Sequence, residues 1–176
     1  MSEVLLIAQL GNPVLRQTAE AIETIDAVEV QTLIDRLLAT LVQSNGVGIA
    51  APQVGESVRL LIVASRPNPR YPNAPSMEPT VMVNPRLVNH SQEQVKDWEG
   101  CLSVPGIRGL VPRYREIEIE YFDRQGSLQH QVLSDFVARI FQHEFDHLEG
   151  KVFLDRLEST ADIITDQEYL TRIVNL

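Results

Sequence analysis

Residues 143–147 read His-Glu-Phe-Asp-His, two imidazoles four positions apart with a glutamate directly after the first. In an α-helix that spacing sets the rings roughly 40° apart around the axis, so His143 and His147 can reach one metal ion. Glu144 projects about a quarter-turn away, badly placed to ligate but well placed to move a proton on water held by the ion. The plainer reading is a surface helix with two solvated histidines. The flanking residues speak against it. On a wheel from Asp135 to Leu148, Phe136, Val137, Ile140, Phe141, Phe145 and Leu148 cover a wide apolar arc. Arg139, Gln142 and Asp146 form a narrow polar sector, with both histidines on its border. In so dry a helix an unpartnered imidazole pair would be costly, and a metal is the simplest account of it.

A catalytic metal generally takes three protein ligands and keeps one position for water. His90 and His130 are the only other histidines, and each reads as solvated, His90 in a turn and His130 on a strand face. Cys101 is the better third ligand, because a thiolate binds divalent transition metals strongly and Gly100 before it lets the backbone approach closely. As the only cysteine it excludes an internal disulfide and fits a reducing compartment.

Residues 46–53, Gly-Val-Gly-Ile-Ala-Ala-Pro-Gln, form the third chemical stretch. Their glycines match the letters of a dinucleotide fingerprint, but the stretch follows a helical pattern and runs into Pro52, the wrong context for it. Glycines alternating with apolar residues suit an extended edge for a substrate backbone. Gln53, at its end, either donates to a developing oxyanion or satisfies buried carbonyls.

Around these stretches the chain alternates elements. Residues 27–44 predict an amphipathic helix stopped by Asn45-Gly46. Residues 58–64 and 81–83 read as short buried strands. Five of the ten prolines fall within 66–80, which marks an ordered loop. Ile117, Ile119 and Tyr121 alternate with Glu116, Glu118 and Glu120, a strand with one wet face, and residues 128–133 are its antiparallel partner. From about residue 160 a peripheral helix or disordered tail is expected. Strands clustered between two helices indicate an α+β domain, and 176 residues suit one domain spanning 1–176. A net charge of −9 argues against general DNA or RNA binding. No apolar run reaches the length of a membrane span, so a cytoplasmic protein is expected.

Together the three stretches resemble the motifs of the peptide deformylase family. Residues 46–53 are similar to its first motif, Glu99-Gly100-Cys101-Leu102-Ser103 to its second and Gln142–His147 to its third, in the same order and spacing. The match runs from Gly11-Asn12-Pro13 to Asp155-Arg156. The resemblance implies removal of the formyl group from formyl-methionyl nascent peptides. It implies antiparallel strands surrounding a central metal-binding helix, with the N-terminal helix packed outside. It also implies that Cys101, His143 and His147 bind one divalent ion, Fe(II) foremost and Zn(II) or Ni(II) also accepted. Glu144 would carry the proton, while Gln53 and the backbone N–H of Leu102 would hold the oxyanion. Val47, Gly48, Glu99, Gly100 and Arg139 would lie on the substrate-binding side, with Gly48 bonding the substrate main chain. Val47, Leu102 and His143 would wall the methionine pocket, and Glu99 would pair with Arg113.

Two features depart from the family pattern. Many bacterial members carry an apolar residue where this chain has Arg139; Ala138-Arg139-Ile140 looks more like a branch that includes organellar enzymes. Arg139 either attracts a peptide carboxylate at the pocket mouth or pairs with Asp146 on the same polar sector, and the pair is expected. Some members also dock a basic C-terminal helix on ribosomal RNA. Here Glu158, Asp162, Asp166 and Glu168 face only Arg172, so at most a transient ribosome contact is expected. Two other readings compete: a zinc peptidase on the same helix, and a metal-binding module without activity. After His147 the chain offers the peptidase only carboxylates as a third ligand, and the presence of all four chemical residues argues against the module.

Overall fold

The computed structural model describes residues 3–69 and 71–174. Helix α1 spans Val28–Ser44, and its start and stop match the expectation. Its chain reversal comes from Asn45, held in the left-handed region at φ 52°. Strands β1 (Gly48–Ala50), β2 (Leu60–Ser65), β3 (Met77–His90), β6 (Glu116–Phe122) and β7 (Leu128–Ser134) form one antiparallel sheet in the order β1-β2-β3-β6-β7. Strands β4 (Gln94–Cys101), β5 (Val104–Tyr114) and β8 (Ile163–Thr165) form a second. Helix α2 covers Asp135–Leu148.

The apolar run at β2 has a simple cause: both faces of this strand are covered. Leu60 and Ile62 face Ile34, Leu37 and Leu41 of α1, while Leu61 and Val63 face Ala138, Ile140 and Phe141 of α2. Period-two alternation thus survives in which core each side chain joins, although every position is buried. In β6 the alternation is visible in the sequence itself, with Ile117, Ile119 and Tyr121 in the α2 core and Glu116, Glu118 and Glu120 on the other face. A turn closed by Asp123 Oδ1, which accepts from the N–H groups of Gln125 and Ser127, leads into β7. The five-stranded sheet therefore separates the outer helix α1 from the central helix α2.

Three stretches differ from expectation. The proline-rich loop ends early, because Met77–Pro79 already belong to β3; Pro79 is tolerated where the β2–β3 register shifts between Val63 and Ser65. His90 ends β3 rather than sitting in a turn, its ring stacked on Tyr114 at 3.7 Å. The long β4–β5 hairpin was not anticipated. Polar residues dominate β4, and Pro105, Gly106, Gly109 and Pro112 depress strand propensity in β5. Residues 161–174 are structured: β8 pairs with β5, and helical turns run from Asp166 to Val174. No described helix is long and apolar enough to cross a membrane.

Candidate metal centre

The β4–β5 hairpin turns through Leu102 and Ser103, with Cys101 paired to Val104 across the turn. That turn delivers Cys101 to the face of α2 that carries His143 and His147. The ligand atoms of the three residues all lie within 4.8 Å of one another, and Cys101 Sγ is 3.3 Å from His147 Nε2. Both histidines are buried. His143 Nδ1 lies 2.9 Å from Glu99 Oε2, which leaves its Nε2 for the cysteine side. One thiolate and two imidazoles converging in a dry place suit a divalent transition metal, so the residues fit such an ion. Two buried atoms nearby, His147 Nδ1 and Glu144 Oε2, have no hydrogen-bond partner among the described residues.

Behind Cys101, His143 and His147 lies a buried charge network centred on Glu99. Arg113 donates to it through Nε at 2.8 Å and Nη2 at 3.0 Å, so the ion pair implied by the family resemblance is formed. Burial alone would raise the Glu99 pKa, but the charge and hydrogen bonds of Arg113, with those of His143, hold it well below the ordinary carboxylate range. Glu99 is therefore an anion that orients the imidazole of His143. The Cys101 thiol, too, is raised by burial and lowered more strongly by His147 and His143, to well below its usual value.

Arg139 is not paired with Asp146. Its guanidinium is buried and donates to Glu99 Oε1 at 2.8 Å, to the carbonyl of Val111 at 2.8 Å and to that of Val95 at 2.6 Å. Asp146 instead accepts from Arg113 Nη1 and from Arg156 Nη2, both at 2.6 Å. The two residues lie seven positions apart, about 10 Å along the axis, and the β4–β5 hairpin supplies each with a nearer partner.

Glu144 is buried against Gly48 of β1. Burial pushes its pKa up to about 7, against the opposing pull of His143 and His147. Gln53, in the 3-10 turn Ala51–Val54, accepts from the N–H of Ala50 at 2.9 Å. Its amide nitrogen donates to Ser103 Oγ at 3.3 Å and faces Cys101 Sγ at 3.5 Å. Its carboxamide thus satisfies a backbone N–H rather than buried carbonyls, and turns its donors toward the cysteine loop.

A cavity opens beside this cluster, lined by Val47, Gly48, Gln53, Glu99, Gly100, Cys101, Leu102, Arg139, His143 and Glu144 among others. Every sequence-selected site residue except His147, which is fully buried beneath, reaches this cavity. Tyr71, Trp98, Phe136 and Ile140, which the sequence does not single out for the site, also line it, as does Gly46. Phe136 and Trp98 had a signal, Phe136 seven residues before His143 and Trp98 two before Gly100 on the same strand; Tyr71 had none, being brought in by long-range contacts. His130 pairs with Glu118 on the outer face of the sheet, away from the centre, as expected.

A family model described as polypeptide deformylase matches residues 4–162. The chain is 65% identical over 167 residues to peptide deformylase 2 of Nostoc sp., covering 95% of this chain and 93% of the relative. It is 46% identical over 162 residues to peptide deformylase 2 of Shewanella oneidensis, covering 92% and 89%. Among solved structures it resembles the Met-Ala-Ser-bound class I type b peptide deformylase of Acinetobacter baumannii, with TM-score 0.87 and 46% identity over 89% of this chain and 100% of that one. It also resembles the peptide deformylase of Thermotoga maritima, with TM-score 0.79 and 33% identity over 89% and 99%.

Proposed function

This chain belongs to the peptide deformylase family and removes the N-formyl group from nascent polypeptides, and on that premise we propose that it does so with one divalent ion held by Cys101, His143 and His147. The observation that carries this reading is the convergence of one sulfur and two imidazoles within 4.8 Å in a buried setting. Fe(II) is the proposed physiological ion, with Zn(II) and Ni(II) as substitutes the ligand set accepts. A bound ion supplies Lewis acidity, polarising the formyl oxygen and acidifying water at neutral pH.

The chain's own residues do the rest. Glu144 takes a proton at its carboxylate and delivers it to the departing amine. Gln53 Nε2 and the N–H of Leu102 donate to the developing oxyanion. Glu99 holds His143 in the tautomer that keeps Nε2 free. β1 is an edge strand, paired with β2 alone, so Gly48 can offer backbone groups to an extended peptide. Val47, Leu102 and His143 wall the methionine side chain. A formyl carbon bears only hydrogen, so a narrow site admits it and rejects bulkier acyl groups; acetyl-methionyl peptides turned over at a comparable rate would remove that filter.

The chain acts as one catalytic domain in the cytoplasm on formyl-methionyl nascent peptides. Its acidic C-terminal segment, in which Arg172 pairs with Glu168, favours at most a passing contact with the ribosome. The test is an anaerobic metal analysis paired with formate release from formyl-Met-Ala-Ser. One ion per chain and formate release lost on chelation are expected. Full metal occupancy without formate release points to a binding module instead, and casein turnover in place of deformylation points to a peptidase.

A further inference from the structure

The segment of residues 163–169, outside the family-matched region, packs behind the wall of the cavity rather than lining it. Its strand β8 adds to β5, placing Ile164 opposite Arg108. In the helical turn α3, Asp166–Tyr169, the carboxylate of Asp166 accepts from Arg108 Nε at 2.8 Å. The ring of Tyr169 covers the same guanidinium at 4.3 Å. On its other side Arg108 donates from Nη1 to the hydroxyl of Tyr71 at 3.2 Å and lies 5.5 Å from that ring's centroid. Tyr71 belongs to the proline-rich loop and packs on Phe136 at 5.0 Å, and both line the cavity.

Arg108 is only 2% exposed. A guanidinium that dry is stable only while its charge and donors are matched. It also lies against Gly100, where a Cβ would approach its atoms to 3.2–3.3 Å, so the layer reaches the backbone next to Cys101. Without Asp166 and Tyr169 the guanidinium would turn to water, and the loop carrying Tyr71 would lose its anchor.

Tyr169 also meets the cavity-lining Trp98 edge-on, with ring centroids 6.2 Å apart. We propose that Asp166 and Tyr169 are positioning residues for the cavity wall, acting through Arg108 on Tyr71 and, for Tyr169, on Trp98 as well, so that the C-terminal segment sets how tightly the cavity holds its peptide. This rests on reading the cavity as the deformylase substrate pocket.

The test uses the full-length, metal-loaded protein and its Tyr169→Ala, Tyr169→Phe and Asp166→Asn variants. Isothermal titration calorimetry reads binding of Met-Ala-Ser independently of turnover and without relying on Trp98, whose ring Tyr169 touches. Tyr169→Ala is expected to raise the Kd for Met-Ala-Ser and the KM for formyl-Met-Ala-Ser about fivefold, a part of what one buried cation–π contact is worth, with kcat and metal content little changed. Tyr169→Phe keeps a ring over Arg108 and is expected to bind like the wild type. Asp166→Asn, a milder change at a half-exposed side chain, is expected to fall between them. Unchanged Kd and KM in Tyr169→Ala and Asp166→Asn, with only the melting temperature lowered, would overturn the proposal while leaving the deformylase reading intact. Loss of metal together with kcat would also overturn it, because the effect would then run through Cys101. A wild-type protein that neither binds Met-Ala-Ser nor releases formate would overturn the underlying reading and this proposal with it.

Discussion

Gly48 and Glu144 share one space: a Cβ on Gly48 would lie 2.6 Å from Oε1 of Glu144 and 2.8 Å from its Cγ. Ile140 Cγ2, also at 2.8 Å from that point, blocks the other way out. The absence of a side chain at Gly48 is therefore what lets the carboxylate of Glu144 stand beside Cys101, His143 and His147. Gly48→Ala is expected to displace Glu144 and lower kcat at least tenfold, with a stability loss of about 1–3 kcal/mol from overpacking. Formate release and a thermal melt check both; full activity in a folded Gly48→Ala protein would show that the carboxylate can move without cost.

Glu144→Gln keeps the shape of the side chain and removes its ability to carry a proton. It is expected to retain metal while kcat falls by roughly 10²–10⁴, the usual contribution of a positioned acid–base group. Metal analysis alongside steady-state kinetics separates this from loss of the ion. If metal and activity fall together, Glu144 holds the centre rather than moving protons.

Arg139 lines the cavity and donates to Glu99 and to the carbonyls of Val95 and Val111, so its guanidinium is part of the charge network behind His143. Arg139→Met is expected to weaken metal affinity about tenfold or more by loosening Glu99 and through it His143. Arg113→Ala should act in the same direction. Chelator competition measures this loss. The KM for formyl-Met-Ala-Ser is expected to hold steady in Arg139→Met, and a large rise in KM at full metal occupancy would instead assign Arg139 to substrate binding.

For Asp146, burial alone would raise the pKa, but hydrogen bonds and charges from Arg156 and Arg113 lower it below the ordinary value. A carboxylate whose folded pKa is depressed stabilises the fold above its unfolded pKa, about 4, and loses that contribution as pH falls through the lowered value. Asp146→Asn is therefore expected to cost about 2 kcal/mol at neutral pH, the worth of hydrogen bonds to a charged group. The gap to the wild type should narrow below about pH 4. Urea unfolding of the metal-stripped proteins at several pH values tests it, and a gap that does not depend on pH would mean that charge on Asp146 is not what stabilises.

Local pattern was enough to read helix α2 to its ends and the wet face of β6. Helical and strand periodicity depend on neighbours a few residues away, and those are written consecutively along the chain. The same locality put His143, Glu144 and His147 on one stretch of helix, and thiolate chemistry singled out Cys101. What remained hidden was decided by distance in the chain. The β4–β5 hairpin carries polar residues, prolines and glycines that predict no strand by themselves, and pairing with one another and with β8 makes them strands. Arg139 had a local candidate in Asp146 and took Glu99, forty positions away, because the folded hairpin brought a buried carboxylate nearer. Tyr71 became cavity wall only when its loop met Phe136 and Arg108 across the molecule. Chemistry that a few adjacent residues can perform is visible in their order; the partner a buried charge selects depends on which chain segments fold against it, and burial makes that selection too costly to leave open.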